Sequence, residues 1–364
     1  MTAKTSTATQ EIALVWDWGT AYELFVSLSV LHCPEQHGLR PSWAAGIRSR
    51  IPPTERKFLE EVMPFLNYPL IWVYHLPGPK DAMNAIWALR QMPAGQRMSA
   101  LVDVEHWDQP EIRDRGLKIM EQRSWSNHDL AAVKELYSHK NTEEEMNGID
   151  KYLDWWARPD EFGDAMVAGL QAYYQAFFEE EEKRVGPVLQ AGLERAKVRA
   201  RHLSVPDLVT ELSQGLRFDE LTVRELVMVP AFWTTPLVVM DQLDEKQGIF
   251  LFGARPANMA AIPGEQVPDG LVRTLKALAD PTRLKIMHYL TQGEVTPTEL
   301  ARRLNLRAPT VTHHLSELRL CGLVNVTIRG QEKLYTSRLE ALDETCSNLR
   351  DFLQNAPEEI YNLS

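Results

Sequence analysis

The sequence predicts a mainly α chain of the α+β type. A large helical N-terminal region ends in a small antiparallel sheet, and a compact module of short helices and a β-hairpin follows. Three observations predict this. Apolar residues recur at helical spacing through most of residues 20–214. Near 224–254 the pattern changes to short apolar runs divided by turns, namely Leu226-Val-Met-Val-Pro, Leu237-Val-Val-Met and Gly248-Ile-Phe-Leu-Phe-Gly. From 271 to 337 the chain returns to short capped helices and then alternates around Gly330.

In order along the chain, residues 1–10 are polar and read as a frayed tail rather than a signal peptide. Residues 12–16 suit a short strand or the start of a helix. Residues 20–31 form a helix with Leu24, Phe25, Leu28 and Leu31 on one side. Further helices fall at 42–50, at 54–63 behind Pro52-Pro53, and at 81–92 with Ala82, Ala85, Ile86 and Leu89 inward. Between them, 68–76 is aromatic and bounded by prolines, a buried segment of open type. Pro64, Pro69, Pro77 and Pro79 exclude a membrane helix from the uncharged run at 62–79. Helical patterning continues through 111–122, 129–139 and 143–157, then 160–201, which Gly186-Pro187 is expected to kink or divide. A last helix spans 206–214. Residues 256–270, rich in proline and glycine, read as a linker. This divides the chain into a helical regulatory region at 11–255, a linker, and a module at 271–354.

Composition is that of a globular protein, with 44% hydrophobic and 24% charged residues. Cys33, Cys321 and Cys346 are widely spaced and odd in number, so they imply no disulfide framework and fit a reducing, cytoplasmic setting. The net charge of −11 conceals a polarity: residues 271–338 hold eleven lysines and arginines against five acidic residues, and the rest of the chain is acidic. Positive charge concentrated on one module is the electrostatic footprint of phosphate binding. Other polar clusters have plainer readings. His32, Cys33 and His37 lack a fourth ligand and mark a helix end; the run Glu179–Glu182 reads as a solvated face; the aromatic stripe from Phe162 to Phe178 reads as helix core. There is no glycine-rich phosphate loop, no Gly-x-Ser-x-Gly elbow and no Cys-x-x-Cys pair.

Within the module, Asp280 and Pro281 open one helix. Thr296 and Glu299 form a capping box for the next, with Pro297 at its first position. After a turn through Asn305, Leu306 and Arg307, a second helix carries Val311, Leu315 and Leu318 as a buried stripe. Its other face presents Thr310, Thr312, His313 and Ser316, short or planar side chains suited to reading base edges at close range. Gly322-Leu-Val and the residues that follow alternate as a hairpin with Arg329, Gln331 and Lys333 at its tip. Helices, recognition helix and basic hairpin together make a winged helix-turn-helix. The apolar residues Leu342, Cys346, Leu349 and Leu353 then line one side of a final helix, as a dimer helix requires.

Ala277-Leu-Ala-Asp-Pro-Thr-Arg-Leu-Lys-Ile, Pro309-Thr-Val-Thr-His-His-Leu and Gly322-Leu-Val resemble the ArsR-type winged-helix transcriptional regulators. The resemblance covers about the last quarter of the chain. It implies a homodimer that binds a palindromic operator in double-stranded DNA and represses. By position, its reading residues fall on Arg307, Ala308, Thr310, Thr312 and His313; Ala308 departs from the polar residue frequent there, so operator specificity does not carry over. Metal sensing in that family uses cysteines in the helix before the recognition helix, or Asp, His and Glu ligands on the C-terminal helix. Here 299–305 holds Arg302 and Arg303 and no cysteine, and 339–354 holds no histidine. The expectation is therefore a repressor with no metal site and no cofactor, whose upstream region senses a small molecule or a partner. The alternative is an enzyme or interaction protein that uses the winged helix for docking. The more diffuse resemblance of residues 16–252 to the long N-terminal regions of some such regulators names no ligand.

Overall fold

Helical periodicity in the first half of the chain does produce helices. The computed structural model describes residues 12–102, 110–138, 148–218, 221–330 and 332–354. The chain divides into two compact units, Asp17–Val188 and Met1–Trp16 with Leu189–Ser364. The expected tail at 1–10 and the expected helical residues 139 and 143–147 lie outside the described residues.

In the first unit, α1 (Thr20–His32), α2 (Pro41–Arg48), α3 (Pro53–Val62), α4 (Leu70–Tyr74), α5 (Ala82–Gln91) and α6 (Ala94–Val102) follow in succession. Then come α7 (Pro110–Gln122), α8 (Asn127–Ser138), α9 (Ile149–Trp156) and α10 (Pro159–Tyr173). Prolines open α2, α3 and α10, where a missing N–H costs nothing. The open segment at 68–76 is α4. Phe162, Leu170, Tyr173 and Phe178 are fully buried, so the aromatic stripe is core. Helix α10 packs on α6 at Gly163, where a Cβ would stand 2.1 Å from the Ala94 carbonyl oxygen. His32 ends α1, its Nδ1 2.8 Å from the Leu28 carbonyl oxygen, and burial pushes its pKa down to about 4.

Two expectations fail here. Of the kink or division expected at Gly186-Pro187, the division is absent: α11 (Glu179–Ala200) runs across Pro187. The irregularity sits upstream, as a π-helical turn at Tyr174–Phe178, a device that re-aims side chains without ending a helix. Nor is Glu179–Glu182 wholly solvated. Glu181 is buried and receives the Arg184 guanidinium, and Glu182 accepts from Thr20, from Tyr174 at 3.1 Å and from the Ala82 N–H at 3.1 Å. Glu181 and Glu182, about 100° apart on the helix, both lie toward the packed side and find donors there.

The second unit holds a four-stranded sheet in the order β1-β3-β5-β4, from β1 (Ala13–Trp16), β3 (Glu225–Ala231), β4 (Val239–Gln242) and β5 (Gln247–Gly253). The expected antiparallel sheet is corrected: β1 and β5 both run parallel to β3, and only β4 pairs antiparallel, with β5. Strands β3 and β5 are near-continuous apolar runs buried on both faces, the pattern of central parallel strands. Leu226, Met228, Phe250 and Phe252 pack on α12 (Val205–Leu212) through Leu208 and Val209. Residues 256–268 contain no helix or strand yet bury Ala260, Ala261 and Ile262. The remaining elements are α13 (Asp269–Leu278), α14 (Pro281–Leu290), α15 (Pro297–Leu304), α16 (Ala308–Leu320), β6 (Val324–Arg329), β7 (Glu332–Ser337) and α17 (Glu340–Gln354). A second sheet has the order β2-β6-β7, its first strand β2 (Leu216–Phe218) supplied from upstream and parallel to β6.

Candidate nucleic-acid interface

The two helices before α16, the second helix of the helix-turn-helix, begin at side-chain caps. Asp280 accepts the N–H groups of Thr282 at 2.8 Å and Arg283 at 2.9 Å, and these bonds hold its carboxyl below the usual carboxylate range. Thr296 accepts the Glu299 N–H at 3.2 Å, half of the expected capping box. The other half is replaced, because the Glu299 carboxylate turns forward to Arg303. Asn305 takes the left-handed conformation at φ 52° and turns the chain into α16.

Along α16, Val311, Leu315 and Leu318 are fully buried, in one core with Ile286, Leu290, Leu300 and Leu323. Thr310, Thr312, His313 and Ser316 are exposed, as are Arg307 and Ala308 at the helix start. At about 100° per residue, the first four cover roughly half the helix circumference, opposite the buried stripe. Short side chains on one convex face give a helix that fits a major groove closely. His314 is half-buried with its Nδ1 enclosed, so it packs rather than joining this face.

The hairpin forms a second, separate surface. Its register pairs Ile328 with Lys333 and Arg329 with Glu332, around Gly330 at φ 58°. Lys333 and Arg329 are exposed, and Arg329 lies 3.5 Å from Glu294. Gln331 lies outside the described residues. A bridge between Val295 and Tyr335 ties the hairpin to the start of α15.

One anchoring side chain was missed by the sequence reading. Arg319, in the last turn of α16, donates to the Ser213 carbonyl oxygen at 2.6 Å and to that of Gln214 at 3.4 Å. These carbonyls end α12, where a cation is favoured by the helix dipole. Burial lowers the Arg319 pKa to about 10, so it stays charged at neutral pH. Beside it Gly322, at φ 65°, makes the turn into β6, and a Cβ there would stand 2.7 Å from Gln214 Oε1. The recognition helix is thus fastened to the chain upstream of the module. Arg319→Met is expected to strand buried carbonyls and cost about 1–3 kcal/mol in urea unfolding. Arg350→Met, at an exposed position of α17, should stay within about 0.5 kcal/mol of the parent; equal effects would refute the anchor.

Residues 280–326 match the family described as bacterial regulatory protein, arsR family. The HTH-type transcriptional regulator CmtR of Mycobacterium tuberculosis (strain ATCC 25618 / H37Rv) is 44% identical over 71 residues, 20% of this chain and 60% of that protein. This chain thus spans 60% of the length of CmtR. The arsenical resistance operon repressor of Staphylococcus xylosus is 35% identical over 75 residues, 21% of this chain and 72% of the repressor. Among solved structures, an ArsR-like transcriptional regulator from Rhodococcus sp. RHA1 is 29% identical, over 23% of this chain and 80% of its own, at a TM-score of 0.22. With a relative more than one third identical over most of its length, matched across the reading helix described above, the chain belongs to the arsR family of bacterial regulatory proteins.

Proposed function

We propose that the chain is a DNA-binding transcriptional repressor, not a catalyst, that reads a palindromic operator as a homodimer. The observation that carries this reading is the exposed face of α16, with Thr310, Thr312, His313 and Ser316 opposite a fully buried stripe. Residues 271–354 form the reading module, Lys333 and Arg329 contact the backbone, and residues 11–255 supply the regulatory input. Dimerisation is supported by apolar side chains left open on the flanking helices. Val272 and Leu275 on α13 are 36% and 40% exposed, and Leu353 on α17 is 70% exposed. A symmetric pair covering these stripes sets two recognition helices about one DNA turn, ~34 Å, apart.

The relatives named for arsenical and mercury resistance raise the question of a metal input. The residue types at the two expected metal positions point elsewhere. Helix α15 carries Arg302 and Arg303 and no thiol, and residues 339–354 hold no histidine. The input is a non-metal ligand or a partner.

Sequencing the DNA recovered with the protein, then titrating that duplex against salt, tests the function. A specific palindromic site is expected, bound by a species that sediments as a dimer. Lys333→Ala should weaken binding to every sequence and flatten the salt slope by about 1. Equal affinity for random and recovered duplexes, or operator binding by a monomer, would refute the reading.

A further inference from the structure

Helix α16 carries one carboxylate, Glu317. At about 100° per residue it lies about 20° from Thr310 and about 40° from His313 around the axis, on the flank of the reading face. An unpaired carboxylate there would repel the phosphates that the basic module attracts. Glu317 faces Arg283 of α14, with 3.6 Å between carboxylate and guanidinium. The Arg283 side chain is 16% exposed, so water and salt screen this pair less than one at the surface. Its guanidinium is fixed from behind. Nε donates to the Ala277 carbonyl oxygen at 3.2 Å and Nη2 to that of Lys276 at 3.4 Å, at the end of α13. The carboxylate of Asp280, the cap of α14, stands 3.9 Å away. One planar fork, which a lysine lacks, thus joins α13, the start of α14 and α16.

The opposite flank of α16 is held by Arg319, through the Ser213 carbonyl oxygen. Arg319 lies about 160° from Glu317 around the axis, and Thr312, His313 and Ser316 fall in the arc between them. Two tethers of opposite charge therefore bracket the reading face in the last turns of the helix. A helix pinned on both flanks resists rolling, and roll decides which side chains meet base edges. We propose that Arg283 is a positioning residue for DNA reading, which sets the roll of α16 through Glu317 and keeps that carboxylate off the duplex. Its effect on DNA rests on the repressor reading above; the tether itself does not.

The test uses the full chain with Arg283→Gln, Glu317→Gln and the two combined. Operator and random duplexes are titrated in parallel, and hydrogen exchange of α16 is followed without DNA. Each single change is expected to lower the preference for operator about three- to tenfold. The double change should lower it no further than either alone, because all three variants lose the same contact. Affinity for random duplex should split by charge. It falls for Arg283→Gln, which leaves Glu317 unpaired beside the phosphates, and holds or rises for Glu317→Gln. Without DNA, the α16 amides of Glu317→Gln should exchange about three- to tenfold faster, while those of β3 keep the parent rate. Glu317→Gln carries the test alone if Arg283→Gln fails to fold. An unchanged preference in Glu317→Gln overturns the proposal, as do additive losses in the double variant or α16 exchange at the parent rate. Equal loss of affinity for both duplexes with a lowered urea midpoint marks a purely structural role and also overturns it. A parent protein that binds every duplex alike refutes the repressor reading, and faster α16 exchange in Glu317→Gln then still upholds the tether.

Discussion

Replacing Thr312 and His313 together by alanine is expected to abolish most of the preference for operator over random duplex. Each base contact is worth about 1–3 kcal/mol, so the pair carries roughly 30-fold to 10⁴-fold of discrimination. Both side chains are exposed on α16, so the same variant should unfold within about 0.5 kcal/mol of the parent. Lost selectivity with an intact fold separates reading from scaffolding. Competition of labelled operator against random duplex measures the first, and urea unfolding the second. An undiminished preference would mean that another element reads the bases.

Leu315→Ala should show the opposite pattern. Leu315 is fully buried, three residues from Thr312 on the same helix, in the core shared with Ile286, Leu290 and Leu300. The vacated space and lost burial cost about 2–5 kcal/mol, against a typical total of about 5–15. Binding to all duplexes should fall together as the folded population shrinks, with no change in relative preference. A variant that melts with the parent would show that α16 is not held by this stripe.

The contrast between these neighbours was legible in the sequence because both rest on local periodicity. Val311, Leu315 and Leu318 recur at helical spacing, and Thr312, His313 and Ser316 between them face outward. The caps at Asp280 and Thr296 were legible for the same reason, since a capping side chain bonds within three residues of itself. Glu299 escaped because Arg303, one helical turn on, outcompetes the Thr296 N–H for its carboxylate. Pairing at long range left no local mark. Nothing in Ala13–Trp16 announces Glu225–Ala231 as its parallel neighbour, and only the unbroken apolar run of β3 hints at a strand covered on both faces. Arg319 reads as an ordinary polar position until the end of α12 arrives beside it. Of the reading face, residue types and spacing were visible; the carboxylate facing Arg329 was not, since Glu294 lies on a different segment.

Strand β2 has a practical consequence for dissecting the protein. It pairs with β6, which leaves β6 bonded on both sides, and Val326 N–H donates to the Gly215 carbonyl oxygen at 2.8 Å. A fragment beginning at the expected linker, near 256, discards β2 and with it the partners of Arg319. It would present β6 as a raw edge of unpaired amides flanked by Val324 and Val326, the kind of edge that recruits foreign strands. Such a fragment would self-associate through its wing and mimic a loss of DNA recognition that is really aggregation. A cut placed before Val205 keeps α12 and β2, and with them a wing sheet whose third strand shields it.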